Sequence, residues 1–373
     1  MASQPGAFAR AHHVGSLIRP DDLIKAREAA ARNEIAFFEL RRIQEAAIRE
    51  VVRLQEDLGF RIITDGEYNR GSWQRDFLLK FENVELVPSR ITVKFHTREG
   101  AGERAPPSLQ VTGRISRPRG IFVDDFKFLT SVARATPKVT FPSPSTLHFR
   151  GGRQAIDRQA YPDIGLFYDD VARVYREEIR DLAAAGCRFI QIDEVNLAYL
   201  CDPVLREEVQ HFGEDPEELP NIYAKVLNSA LAEAPEDMVV SMHLCRGNFA
   251  GAWIAEGGYE PIAELLFNRI DVDVYYLEYD SARAGGFEPL RFLPKGKIAV
   301  LGLMTTKSRA LESKDEIKRR IEEASRFAPI EQLALSPQCG FSSGIGGNVM
   351  TIAEEIAKLR RLIEVAREVW GTA

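Results

Sequence analysis

The segment from Phe167 to Glu194 reads FYDDVARVYREEIRDLAAAGCRFIQIDE, and its two halves follow two different periods. In the first half apolar residues (Val171, Val174, Tyr175, Ile179, Leu182) recur at three- and four-residue steps, the signature of an amphipathic helix. Gly186 then stands where a helix closes on a left-handed residue. The run Phe189, Ile190, Ile192 follows and ends in Asp193 and Glu194. A short, nearly continuous apolar run is what a parallel strand covered on both faces requires. Helix, glycine, buried strand is one unit of an α/β fold.

The unit recurs along the chain. Seven more strand-like runs are AHHVGSL from Ala11, FRIITDGE from Phe60, KVTFPSP from Lys138, DMVVSMHLC from Asp237, DVYYLEYD from Asp273, KIAVLGLM from Lys297 and LALSPQCG from Leu333. Between them lie segments with helical period, among them ELRRIQEAAIREVVRLQEDLG, which closes on Gly59, and TIAEEIAKLRRLIEVAREVW. Eight strands alternating with helices predict a (β/α)8 TIM barrel, with residues 1–373 forming a single catalytic domain. One stretch departs from the rhythm. Residues 78–126 show β-type alternation with glycine and proline and no helical pattern, and predict an inserted β-hairpin over one end of the barrel, a candidate lid.

With 373 residues, 45% of them apolar, the chain can bury a large core. Its 49 basic and 55 acidic residues are well mixed and give a formal charge of -6, so neither a nucleic-acid face nor a polybasic membrane patch stands out. No segment reaches the roughly 20 apolar residues needed to span a bilayer, and the first residues lack the apolar core of a signal peptide. Four scattered cysteines do not form the framework of a disulfide-rich secreted domain. The expectation is a soluble cytoplasmic enzyme acting on small molecules, with no nucleic-acid or membrane partner.

In a barrel of this type the C-terminal ends of the strands meet at the active-site mouth. His243 and Cys245 end the fifth run, Glu278 the sixth and Cys339 the eighth. Residues two apart in a strand share a face, so the imidazole of His243 and the thiol of Cys245 stand side by side. His, Cys, Glu and Cys together form a ligand set for Zn2+, which lowers a thiol's pKa and keeps it a soft nucleophile at neutral pH. The chemistry this predicts is S-alkylation. The competing reading for any single cysteine is an inert small hydrophobe, which suits Cys187 and Cys201. For Cys339 the following Gly340 permits close approach of a ligand to the backbone.

Five motifs in order, HVGS (His13–Ser16), IQIDE (Ile190–Glu194), HLC (His243–Cys245), LEYD (Leu277–Asp280) and SPQCG (Ser336–Gly340), resemble the catalytic barrel of cobalamin-independent methionine synthase, and in particular the short single-barrel members of that superfamily. The resemblance implies zinc held by His243, Cys245, Glu278 and Cys339. It implies that homocysteine is held by Val14, Gly15 and Ser16 at its carboxylate and by Glu67 and Asp193 at its amino group, with Glu194 adjacent. Two carboxylates facing one ammonium make a charge-matched clamp, and a structural ion pair with Arg70 or Arg188 is the alternative use of those acids.

Departures from that pattern bear on the methyl donor. Where the full-length enzyme has a tryptophan supporting folate, this chain has His148, Phe149 and Arg150. Where it has a histidine assisting proton transfer, the aligned residue is Lys307, which becomes the catalytic candidate. The short members also lack the N-terminal half and its folate contacts. The donor is therefore left open among methyl-folate, another methylated small molecule and methylcobalamin on a corrinoid protein.

Other residues have two readings each. Of His12 and His13 at most one can reach the mouth, since adjacent strand residues face opposite sides. Arg70, Trp73, Arg75 and Asp76 could face a donor ring or anchor a loop. Arg246 and Asn248 lie near the metal ligands in sequence. Two alternative functions remain: a zinc alkyltransferase joining a sulfonate thiol such as coenzyme M to an epoxide, and a metal-free barrel of the uroporphyrinogen decarboxylase type.

Overall fold

Twelve strands form among the described residues of the computed structural model, which are 8–88, 93–97, 100–342, 344 and 349–373. In chain order they are β1 (Ile62–Ile63), β2 (Glu82–Val87), β3 (Val93–Thr97), β4 (Gly100–Arg104), β5 (Ser108–Ser116), β6 (Thr136–Pro137), β7 (Val139–Pro142), β8 (Phe189–Asp193), β9 (Val239–Leu244), β10 (Val274–Glu278), β11 (Ile298–Met304) and β12 (Leu333–Pro337). β7 through β12 make one parallel six-stranded sheet in which each strand pairs with the next in sequence.

The strand positions run in the order of an eight-stranded barrel. β1 pairs in parallel with β6, which leads into β7. On the other side, Ala11 forms a parallel bridge to Leu335 of β12. The first expected strand, AHHVGSL, is thus reduced to a single bridge. The reason lies in its carbonyls, which side chains occupy: Lys138 Nζ donates to His13 O at 2.7 Å, and Thr64 Oγ1 donates to Gly15 O at 2.7 Å. The last of these bonds, with Leu17 N donating to Gly66 O at 3.1 Å, joins the N-terminal segment to the chain after β1.

Helices pack on the outside of the sheet for the reason their sequence period gives. Helix Ile164–Ala184 buries Phe167, Val171, Val174, Tyr175, Ile179 and Leu182 on one face. Each such side chain contributes about 1.5–3 kcal/mol on leaving water. The helix begins on Asp163, whose carboxylate accepts from Gly165 N at 2.9 Å, and its chain turns at Gly186 with φ of 96°. On the face of the strands away from these helices the packing changes character along the strands. Val274, Tyr276, Ile298, Val300 and Ala334 form an apolar cluster. Toward the C-terminal strand ends the buried residues are polar or ionisable, including Asp193, His243 and Glu278.

The insert expected as one hairpin over residues 78–126 is two antiparallel pairs. β2 pairs with β5, and β3 with β4 lies between them in sequence. Residues 89–92 and 98–99 of that expectation lie outside the described residues. The insert is stitched to the loop after β9: His96 N donates to Trp253 O at 2.8 Å, and Trp253 N to His96 O at 3.0 Å. Two helices that the strand–helix reading did not include, Asn196–Tyr199 and Pro203–His211, follow β8. Among the described residues no helix is long and apolar enough to cross a membrane.

Candidate metal centre

Strand register brings the candidate residues to one level. Asp193 of β8 is the direct partner of His243 in β9, and His243 is in turn the partner of Tyr276 in β10. Leu244 faces Leu277, so Cys245 and Glu278 stand one step further on, side by side at the strand ends.

At that level the ligand atoms of His243, Cys245 and Cys339 all lie within 4.8 Å of one another, and all three residues are buried. Neither ring nitrogen of His243 makes a hydrogen bond of good geometry, although the Cys245 sulfur acts on the ring. Leaving a buried donor or acceptor unsatisfied costs about 1–3 kcal/mol, so such a ring is suited to a partner from outside the chain. One imidazole and two sulfurs are a donor set that zinc accepts. The electrostatics already favour the anionic form of one sulfur. The Cys339 thiol donating to Cys245 outweighs burial and, with His243, holds Cys245 well below the usual thiol range. The same bond, with burial, pushes Cys339 well above it. Burial opposes the charged ring of His243, but Cys245, Asp193 and Glu278 outweigh it and raise His243.

Glu278 stands beside this trio and outside it. Its Oε2 accepts from Arg246 N at 2.8 Å, and its Oε1 pairs with Arg283 at 2.5 Å. Burial pushes its carboxyl up against the pull of Lys307 and Arg283. Of the four residues grouped by sequence, three converge, and the fourth adjoins them with its carboxylate held by a backbone N–H and by Arg283. Lys307 is also buried, and its Nζ has no hydrogen-bond partner. Its charge acts on Cys245, Cys339 and Glu278 together.

A cleft of about 850 Å³ opens over the trio, lined among others by Val14, Ser16, Glu67, Asp193, His243, Cys245 and Cys339. Glu67 is held in an unusual conformation, with φ of 61°. A non-glycine residue there costs of order 1 kcal/mol, and the surroundings hold it in place. Asp65 Oδ1 accepts from Glu67 N at 2.8 Å, Arg19 donates to Glu67 O at 2.9 Å, and Thr140 Oγ1 donates to Glu67 Oε1 at 3.0 Å. Glu67 Oε2 is buried with no partner. Burial pushes the nearby Asp193 carboxyl up to about 7, with Glu67 adding to the effect against His243. Two buried acids, one with an unpaired oxygen, make a receptor for a cationic group.

The remaining sequence candidates separate cleanly. Glu194 does not line the cleft; its carboxylate accepts from Ser143, from Ser145 Oγ at 2.6 Å, and from Asn196 N and Leu197 N at 2.8 and 3.0 Å. It caps the helix that follows β8. Neither His12 nor His13 reaches the cleft: His12 bonds Tyr276 OH and Ala9 O, and His13 packs edge-on against Phe60. Trp73, Arg75 and Asp76 all line the cleft, and Asp76 also anchors the loop by accepting from Gly71 N and Ser72 N. Arg70 is buried over the Phe122 ring and donates to Thr140 Oγ1 at 2.8 Å. Arg150 lines the cleft, and His148 is turned away to Tyr223 OH at 2.9 Å. Arg246 is buried against Tyr259, and Asn248 Nδ2 bridges Thr306 Oγ1 and Gly340 O, each at 3.0 Å.

Two residues that build the site carry no sequence signal of their own. Arg19 ties Glu67 O and Arg70 O to Ser342 O, and Thr140 bonds both Glu67 and Arg70. Both act across elements far apart in the chain.

Comparison with known proteins gives a consistent picture. Residues 8–368 match the family described as cobalamin-independent synthase, catalytic domain. The uncharacterized protein YxjG of Bacillus subtilis (strain 168) is 41% identical over 364 residues, covering 97% of this chain and 94% of that protein. The 5-methyltetrahydropteroyltriglutamate–homocysteine methyltransferase of Thermotoga petrophila is 23% identical over 360 residues, and the match covers 95% of this chain but 43% of that enzyme. A solved structure from Listeria monocytogenes, provisionally named a vitamin-B12 independent methionine synthase, superposes with a TM-score of 0.76 at 34% identity, covering 97% of this chain and 98% of that one.

Proposed function

Because the chain belongs to the cobalamin-independent methionine synthase family, a family of methyltransferases, we propose that it methylates the sulfur of homocysteine to give methionine. The observation that carries this reading is the convergence of His243, Cys245 and Cys339 within 4.8 Å in a cleft that also bears Glu67 and Asp193. A sulfur-binding end and an ammonium-binding end in one cleft describe an amino-acid thiol.

In this reading His243, Cys245 and Cys339 hold a zinc ion, with Glu278 as the adjoining fourth candidate. When bound, zinc would lower the pKa of the substrate thiol and keep it a soft nucleophile at neutral pH. Glu67 and Asp193 take the ammonium group, the first through its unpartnered Oε2. Val14, Gly15 and Ser16 take the carboxylate. Lys307 supplies a buried positive charge beside two thiolates and a carboxylate, offsetting the anion that a further sulfur brings. Residues 1–373 work as one catalytic barrel, and the inserted strands that contribute Leu86 and Phe95 to the cleft serve as its lid, excluding water around the transferred methyl group. We place this chemistry in the cytoplasm, where four unpaired cysteines stay reduced. A sulfonate thiol would need basic groups where Glu67 and Asp193 stand, and a metal-free barrel has no use for the trio.

The test is to incubate zinc-loaded protein and L-homocysteine with methyl-folate (mono- and triglutamate), methylcobalamin or a dimethylsulfonium compound, and to assay methionine. Methionine from at least one donor, lost on chelation of zinc, is the expected result. No methionine from any donor overturns homocysteine as acceptor, and undiminished turnover after zinc removal overturns the role of the metal.

A further inference from the structure

One lysine is buried on the inner face of the strands, close to the amino-acid end of the cleft. Lys138, between β6 and β7, is 2% exposed. Its Nζ donates to His13 O at 2.7 Å, to Val14 O at 3.2 Å and to Gln191 Oε1 at 2.6 Å, and it lies 4.5 Å from the centre of the Tyr276 ring. Gln191 is fully buried, and its Nε2 donates to Asp193 Oδ1 at 2.7 Å.

A carboxamide has two faces, one donating and one accepting, and nothing intrinsic decides which way it turns. Lys138 Nζ is already directed at the carbonyl oxygens of His13 and Val14, so it meets the amide as a donor and holds the amide oxygen to its own side. The amide nitrogen is then committed to the other side, where Asp193 lies. Reversed, Gln191 would present its oxygen to a carboxylate, a repulsive contact in a buried setting.

We propose that Lys138 is a positioning residue for substrate binding: anchored on the carbonyls of His13 and Val14, it fixes the Gln191 amide so that Gln191 orients Asp193 toward the substrate's ammonium group. Lys138 itself touches no substrate. The inference rests on the reading that Asp193 and Glu67 hold an amino acid.

The experiment is calorimetric titration of the zinc-loaded wild type, Lys138→Met, Gln191→Met and the double variant. Two ligands are used: L-homocysteine and desamino-homocysteine, the same thiol acid without its ammonium. A hydrogen bond to a charged group sets the scale, so each single variant should bind homocysteine about 10-fold more weakly or worse, and desamino-homocysteine as the wild type does. The double variant should be no weaker than either single one, because both break one chain of contacts. Gln191→Met leaves Lys138 on its carbonyl anchors, so it decides the matter if Lys138→Met fails to fold. Variants that bind both ligands as the wild type does overturn the role of Lys138. A wild type that binds the two ligands equally overturns the amino-acid reading itself, and the inference falls with it.

Discussion

A methyl group placed on Gly340 would lie 2.1 Å from Ser16 Oγ, so the backbone after Cys339 and the turn after Val14 are in direct contact. Phe341 N donates to Ser16 O at 2.9 Å, and Ser342 N to Ser16 Oγ at 3.3 Å. The loop that presents a sulfur and the turn assigned to the amino-acid carboxylate are therefore one packed piece. Gly340→Ala must turn the Ser16 hydroxyl out of its bond with Ser342 N or push the two segments apart. It is expected to cost about 1–3 kcal/mol of stability, the usual scale for overpacking, and to weaken zinc and homocysteine binding together. Thermal unfolding and titration with each ligand check this. If both affinities survive the substitution, the two segments are not coupled.

The metal assignment separates His243, Cys245 and Cys339 from Glu278. Cys245→Ser, Cys339→Ser and His243→Ala each remove a member of the trio and should leave purified protein nearly free of zinc by elemental analysis. Glu278 is engaged with Arg246 and Arg283, so Glu278→Gln should retain zinc with an affinity lowered by about 10–100-fold, as for a group that supports a site from its edge. A Glu278→Gln protein as empty as the cysteine variants would make Glu278 a full ligand. Zinc at the wild-type level in all four variants would remove the site altogether.

What the sequence made legible follows the reach of each signal. The helical period around Val171 and Ile179 and the apolar run Phe189–Ile192 are local, and they place α and β elements where they are found. The two-residue step from His243 to Cys245 is local as well, and it puts both side chains in one cluster with Cys339. Glu278 shows where such reasoning stops. Its position at a strand end is readable, but the claim of Arg283 on its carboxylate arises in a loop whose course no period predicts. Glu194 is a similar case: an acid beside Asp193 in sequence is consumed by Ser143, Ser145 and a helix start. Gly340, read as room for a ligand, lines the cleft and also leaves room for Ser16 Oγ. The N-terminal strand failed because Lys138 and Thr64, far off in sequence, occupy its carbonyls.

Lys307 tests the charge balance of the centre. In the proposed site, two thiolates and the adjoining carboxylate would leave a divalent ion no excess positive charge for a further thiolate, and Lys307 is a buried cation whose charge reaches all three. An opposite charge at close range favours an anion by one or more pKa units. Lys307→Met should therefore keep its zinc and bind homocysteine roughly 10-fold more weakly or worse. Metal analysis beside calorimetric titration reads both quantities. Unchanged homocysteine affinity would leave Lys307 without a part in the site.

Glu355 predicts how stability depends on pH at a place away from the metal. It lies in the first turn of helix Ile352–Trp370, is 1% exposed, and its Oε1 accepts from Ile18 N at 3.0 Å. Burial raises its carboxyl from the ordinary 4.5 to about 8, only partly offset by that backbone bond. The folded protein thus keeps a proton that the unfolded chain releases above pH 4.5, and stability falls as pH rises. The loss begins near the unfolded value of 4.5 and levels off above about 8. Glu355→Gln keeps an oxygen for Ile18 N and has no proton to lose. Its melting temperature should match the wild type at the acid end of that window and rise progressively above it toward the alkaline end. The gain there should be at least about 1 kcal/mol. Parallel melting curves for the two proteins across this range would mean that Glu355 ionises in the fold at little cost, through water or a local opening of the helix start.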